Sequence, residues 1–124
     1  MGLLNALRGH ASDMDLTDVA KQLDPIIIDG EEAQQAFKVF RDVFVFTNKR
    51  LILIDKQGLT GKKVAFHSIP YESVEHFSIE TAGTLDLDSE LKIYVRGMAE
   101  PISKEFGRST DIKGVARMLA SHIL

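Results

Sequence analysis

The chain contains no cysteine. That removes a disulfide framework, a thiolate zinc site and a cysteine nucleophile at one stroke, and it fits a reducing compartment. Long apolar runs are also missing. The longest span about four residues, against the roughly 20 that a membrane-spanning helix needs. There is no excess of positive charge: 15 basic and 18 acidic residues leave a net charge of −3. A general nucleic-acid binder starts from a basic surface, so none is expected here, nor is stable membrane insertion. The N-terminus lacks the charged flank and apolar core of a signal peptide. Gly2 follows Met1, but Ala6 stands where a myristoylation signal carries Ser or Thr. The expected location is the cytoplasm.

What is present suits one globular domain. A chain of 124 residues buries roughly two-thirds of its unfolded surface, and its 44% hydrophobic and 27% charged residues are ordinary for such a fold. Its centre is the stretch from Val43 to Gly58. Two β-rich runs, 43–46 and 51–54, flank Thr47-Asn48-Lys49, where Asn suits a tight turn. This reads as a β-hairpin.

Around the hairpin the periodicities change in order. Residues 2–9 form a short apolar helix with Leu3, Leu4 and Leu7 on one face, and Ser12 or Asp13 caps a second helix reaching about Leu23. Leu16, Val19, Ala20 and Leu23 make its apolar stripe, and Asp24-Pro25 ends it. Strands are expected over 33–40, 42–47, 50–56, 62–69, 73–81, 90–96 and 101–106. Ser109 or Thr110 caps a last amphipathic helix over 111–123, whose Gly114 costs about 1 kcal/mol relative to Ala unless the sheet approaches it closely. The organisation is thus an N-terminal helical segment, 1–24, and a mainly β unit, 25–124. Seven antiparallel strands in series, with one helix to plug an open end, suggest a bent barrel.

Strands half-covered by a core alternate apolar and polar residues. Val43-Phe44-Val45-Phe46 and Leu51-Ile52-Leu53-Ile54 do not. Both faces of the hairpin therefore need a cover, and a chain this short has little to spare. Large uncovered apolar patches usually mark interfaces. Phe44, Phe46, Ile52 and Ile54 are the candidate residues of a homo-oligomer interface, with the N-terminal helices as the other possible cover.

Catalytic patterns are sparse. His10, His67, His76 and His122 form no His-x-x-x-His pair, although His67 and His76 could meet on neighbouring strands. Asp86, Asp88 and Glu90 alternate like the start of a calcium loop, but Leu91 replaces its glycine and Gly97 its final Glu. No Gly-x-Ser-x-Gly elbow occurs. Glu31-Glu32 reads as a solvated loop pair, and the phenylalanines lack the basic groove of a base-stacking platform. No metal or cofactor is expected. The turn Gly58-Leu59-Thr60-Gly61-Lys62-Lys63 departs from a P-loop in spacing. Its backbone amides with Lys56, Gly61, Lys62 and Lys63 are nevertheless the candidate site for a small anion or a lipid headgroup.

Seven strands closed by a C-terminal helix is the pleckstrin-homology architecture. Phe46-Thr47-Asn48-Lys49-Arg50-Leu51-Ile52, Ile54-Asp55-Lys56-Gln57-Gly58 and Thr60-Gly61-Lys62-Lys63 resemble the bacterial PH-like domain family. So do Ser68-Ile69-Pro70-Tyr71, Glu80-Thr81-Ala82-Gly83 and the run from Asp86 to Lys92. The resemblance implies a PH-like split barrel whose relatives look like symmetric ring-forming homo-oligomers. It implies no catalysis and no assigned ligand. Eukaryotic phosphoinositide binders cluster Lys and Arg between their first two strands; this chain has Arg41 beside Asp42 there. The expected function is a non-catalytic, self-associating scaffold or protein-interaction module, with itself and a protein of unknown identity as partners. Small-anion or lipid-headgroup binding is the alternative.

Overall fold

The computed structural model describes residues 16–39, 42–57, 63–81, 89–107 and 111–124. Helix α1 (Leu16–Leu23) precedes β1 (Ala33–Val39), β2 (Asp42–Thr47), β3 (Arg50–Gln57) and β4 (Lys63–Pro70). A 3-10 turn, Tyr71–Ser73, leads to β5 (Val74–Glu80), β6 (Ser89–Val95) and β7 (Ile102–Phe106), and α2 (Ile112–Ile123) closes the order. The strands form two antiparallel sheets, β1-β2-β3-β4 and β5-β6-β7. The expected sequence of strands and the C-terminal helix are present. The expected helix over 2–9 and the first turn of the second helix lie outside the described residues.

Strand pairing decides which side chains share a face. Phe44 stands opposite Leu53, and Val45 opposite Ile52. Side chains alternate along each strand, so Phe44, Phe46, Leu51 and Leu53 face one way while Val43, Val45, Ile52 and Ile54 face the other. The first set points between the two sheets. There Phe44 meets Phe106 edge-to-face at 5.5 Å, and Phe37 meets Phe46 at 5.9 Å, the arrangement favoured by ring quadrupoles. Leu91 and Ile93 from β6 and Val115 and Leu119 from α2 complete this inner core. The second set forms a separate apolar layer with Val19 and Leu23 of α1 and Ala33 and Ala36 of β1. Ile26 and Ile27 pack at its margin.

The two sheets meet where β1 approaches β7. Lys104 of β7 reaches Asp42 of β2 across this corner at 3.0 Å. Helix α2 packs against β5 and the 3-10 turn, plugging the inner core. The second sheet shows the alternation that the hairpin lacks. Leu91 and Ile93 are buried, and Lys92 and Tyr94 between them are half-buried on the outer side. A bulge between Val74 and His76 keeps Phe77 and Ile79 facing inward.

Helix α2 departs from expectation at its start. Its N-cap is Asp111, whose Oδ1 accepts from the Gly114 amide at 2.9 Å, a side-chain cap of the usual kind. This also accounts for Gly114. A Cβ there would stand 2.5 Å from Asp111 Oδ2, so the capping side chain, rather than a sheet, is what a side chain at 114 would displace.

Candidate functional site

The hairpin turn carries the densest polar chemistry in the described structure. Gly30, at φ +79°, turns the chain ahead of β1, a conformation that L side chains avoid. The turn brings Glu31 under the β2–β3 connection, where its side chain is fully buried. Arg50 closes on it with two parallel bonds, Nε to Oε2 at 2.8 Å and Nη2 to Oε1 at 2.9 Å. Such forked pairs are strong and orientation-specific. The same guanidinium donates to the Ile26 carbonyl at 2.7 Å and to Ser68 Oγ at 2.9 Å. Thr47 Oγ1 donates to Glu31 Oε2 at 2.7 Å and accepts from the Lys49 and Arg50 amides. Asn48 exchanges hydrogen bonds with Gly30 and Glu32. Tyr71 donates to the Thr47 carbonyl at 2.6 Å.

Electrostatics follow from these contacts. Hydrogen bonding from Arg50 holds the Glu31 carboxyl below its usual range, against the opposing pull of burial. Burial pushes the Tyr71 phenol above its ordinary value. The ring of His122, on α2, stacks on Tyr71 at 4.0 Å and 2°, with Nε2 3.0 Å from Gln34 Oε1 of β1. Burial lowers its affinity for a proton. Every member of this cluster is engaged within the chain. It ties the segment before β1 to the hairpin, and the hairpin to the 3-10 turn; the Thr47 hydroxyl on Glu31 is buried, and that carboxylate is already held by Arg50.

The open chemistry lies at β4. This strand ends its sheet, and residues 63–68 are all exposed. Val64 pairs with Lys56 and Phe66 with Ile54, so both valine and phenylalanine extend the outer apolar layer. Ile52 and Ile54 within that layer are 0% exposed, whereas Val64 is 37% and Phe66 39% exposed. The cover given by α1 stops short of the edge.

The family model for the bacterial PH domain matches residues 2–123. The chain belongs to the bacterial PH domain family. Solved members with similar structures include a pleckstrin homology domain from Shewanella amazonensis SB2B, at TM-score 0.84 and 55% identity over 99% of both chains. Another is a DUF1696 family protein with a pleckstrin-homology domain from Shewanella loihica PV-4, at TM-score 0.81 and 50% identity over 94% of this chain and 99% of that one. The uncharacterized protein YjqA of Bacillus subtilis (strain 168) is 49% identical over 122 residues, 98% of each chain.

For this bacterial PH domain the expected site residues fall in different places. Phe44 and Phe46, expected at an oligomer interface, lie in the inner core, while Ile52 and Ile54 lie on the opposite face beneath α1. The reason is register: Phe44 pairs with Leu53, not with Ile52 or Ile54. Of the candidate anion site, Gly61 and Lys62 lie outside the described residues. Lys56 pairs with Val64 and Lys63 with Gln57, so Lys56 and Lys63 point to opposite faces of the sheet. His67 and His76 sit in different sheets; His76 instead stacks on Tyr94 at 4.1 Å. Asp86, Asp88 and Arg41 lie outside the described residues, and Glu90 accepts from Ser103 Oγ at 2.7 Å. Among the described residues no three His, Asp or Glu side chains gather as metal ligands, and no helix is long and apolar enough to cross a membrane.

Glu31 corrects the reading of Glu31-Glu32 as a solvated pair. A carboxylate just after a Gly turn and an arginine opening a two-faced hairpin can form a buried pair, but only the fold brings them together.

Proposed function

We propose that this chain is a non-catalytic PH-like scaffold that self-associates and presents its repeated surface to a protein partner in the cytoplasm. The observation that carries this reading is the edge strand β4, exposed over residues 63–68, with Val64 and Phe66 uncovered beside a buried apolar layer. A long apolar edge left unpaired is a template for another strand, and strand addition is a common mode of protein recognition. The polar cluster at the hairpin supports the non-catalytic part, since its groups are spent on one another.

The test is the solution mass by light scattering after size exclusion at low micromolar concentration. A discrete multiple of 13.8 kDa that survives dilution is expected. Phe66→Asp should lower that mass while leaving the circular dichroism spectrum intact. A wild-type chain that is monomeric throughout would overturn the reading.

A further inference from the structure

Helix α2 is fastened differently at its two ends. Its start is capped by the Asp111 carboxylate. Its last turn is held through one ring. His122 lies flat on Tyr71, with centroids 4.0 Å apart and planes 2° from parallel, and Phe46 lies parallel to it at 6.5 Å. Nε2 stands 3.0 Å from Gln34 Oε1. The helix end thereby meets the 3-10 turn, β2 and β1 together, and Tyr71 in turn donates to the hairpin at the Thr47 carbonyl.

We infer that the last turn of α2 is an acid-released latch: a proton taken up at His122 Nδ1 loosens the turn from Tyr71 and Gln34 and unseats the helix end that plugs the inner core. The inference concerns a single copy and does not depend on the self-association reading above. With Gln34 Oε1 as acceptor, the neutral ring carries its proton on Nε2. A second proton enters at Nδ1, which has no hydrogen-bond partner among the described residues.

The surroundings do not compensate the charge. Tyr71 is the titratable group in contact, and burial keeps its phenol protonated; Glu72 beside it is exposed. β5 also packs against α2. It turns Val74, Phe77 and Ile79 to the core, while Glu75, His76 and Glu80 are exposed. β1 offers the neutral Gln34, with Lys38 exposed, and Asp42 of β2 is held by Lys104. Lys113 and Arg117 on α2 itself are exposed cations. Glu31 lies beyond Thr47 and is already matched by Arg50. Among the described residues no carboxylate stands within ion-pair distance of His122.

The helix C-terminus attracts a cation whether the ring is docked or freed, so it does not set the balance. The Tyr71 face attracts one only in the docked ring; loss of water without a counter-charge outweighs that attraction. The docked ring therefore binds a proton less readily than the freed one, and proton uptake favours release. Docking is unaffected well above about pH 6.5, the ordinary histidine value. It weakens as pH falls through that value, and the loss is complete below the lower value of the docked ring.

Hydrogen exchange of the full chain at pH 7.5 and 5.5, corrected for the intrinsic effect of pH on amide exchange, tests the latch. Peptides over 115–124 should lose protection at pH 5.5 by up to about ten-fold, the ceiling one pH unit below the freed ring's value. Peptides over β6 should not change. His122→Phe keeps a ring for the stack and cannot titrate, so its protection should be the same at both pH values. Gln34→Glu sets a carboxylate against Nε2, and acidification should then tighten the last turn. Equal protection of the wild type at the two pH values would overturn the inference. So would a loss shared by β6, which marks a global acid effect, or a loss that persists in His122→Phe. Should His122→Phe fail to fold by circular dichroism, Gln34→Glu decides: loosening on acidification in that variant would overturn the latch.

Discussion

The two sheets solve the same problem in different ways. β5-β6-β7 is apolar on one face, and its outer face of Ser78, Lys92 and Tyr94 meets water. β1-β2-β3-β4 is apolar on both, and each face needs a cover. The inner face is covered by the second sheet and α2. The outer face is covered by one short helix and the Ile26-Ile27 segment, pinned by the Glu31–Arg50 pair. What the contrast teaches is that a two-faced strand transfers part of the cost of burial to whatever lies outside the barrel. Among the described residues that cover stops short of Val64 and Phe66, which are partly exposed.

Four measurements break or sharpen this contrast. The inner face is the more deeply built. Phe44→Ala removes a fully buried ring that touches Phe106 and should cost about 3–5 kcal/mol in denaturant unfolding. Truncating the outer layer should cost less, because it has one thin cover. Leu23→Ala, 2% exposed in the wild type, is expected to lose about 2–3 kcal/mol. A loss within about 0.5 kcal/mol, the range of an ordinary surface substitution, would mean that α1 is an ornament on a self-sufficient barrel.

The clip that pins the outer cover should reveal itself in acid. Glu31 is held ionised below the usual carboxylate range by Arg50, so the unfolded chain takes up this proton more readily than the folded one. Its contribution is present above the unfolded value and is lost as pH falls through the folded one. Glu31→Gln should flatten that part of the stability profile, followed by chemical unfolding at a series of acid pH values; an unchanged slope would show that other carboxylates govern it. The smallest effect belongs to the outer face of the second sheet. Ser78→Ala, at an exposed position, should change stability by no more than about 0.5 kcal/mol.

Much of the fold was legible because the chain punctuates itself. Pro70, Gly97 and Gly107 each stand at or beside a strand end, and alternation along 91–95 set the faces of β6 without help. The two-faced hairpin was equally legible, including its need for a second cover. Its face assignments were not. Phe44 and Ile52 look alike in a run of apolar residues, and a shift of one residue in pairing exchanges every side chain between faces. The turn geometry decides that, and here the turn is set by Thr47 and Asn48 contacts reaching back to Glu31 and Glu32. Those partners are 16 residues away in sequence, beyond any local pattern. Asp111 was missed as a cap for a different reason: Ser109, Thr110 and Asp111 are all good caps, and only the backbone path chooses between them.

Surface turns are ordinarily where a chain accepts extra residues, a tag or new termini. The β2–β3 connection looks like such a place, with Asn48 and Lys49 exposed. Yet its backbone amides bind Thr47 and Glu32, and its side chains bind Gly30, Glu32 and Glu31. An insertion there would separate anchors that must act at fixed spacing. For anyone grafting a label or permuting this chain, the tightest-looking loop on the surface is the wrong place to cut, while the β6–β7 turn at Gly97, with open space around it, is the better one.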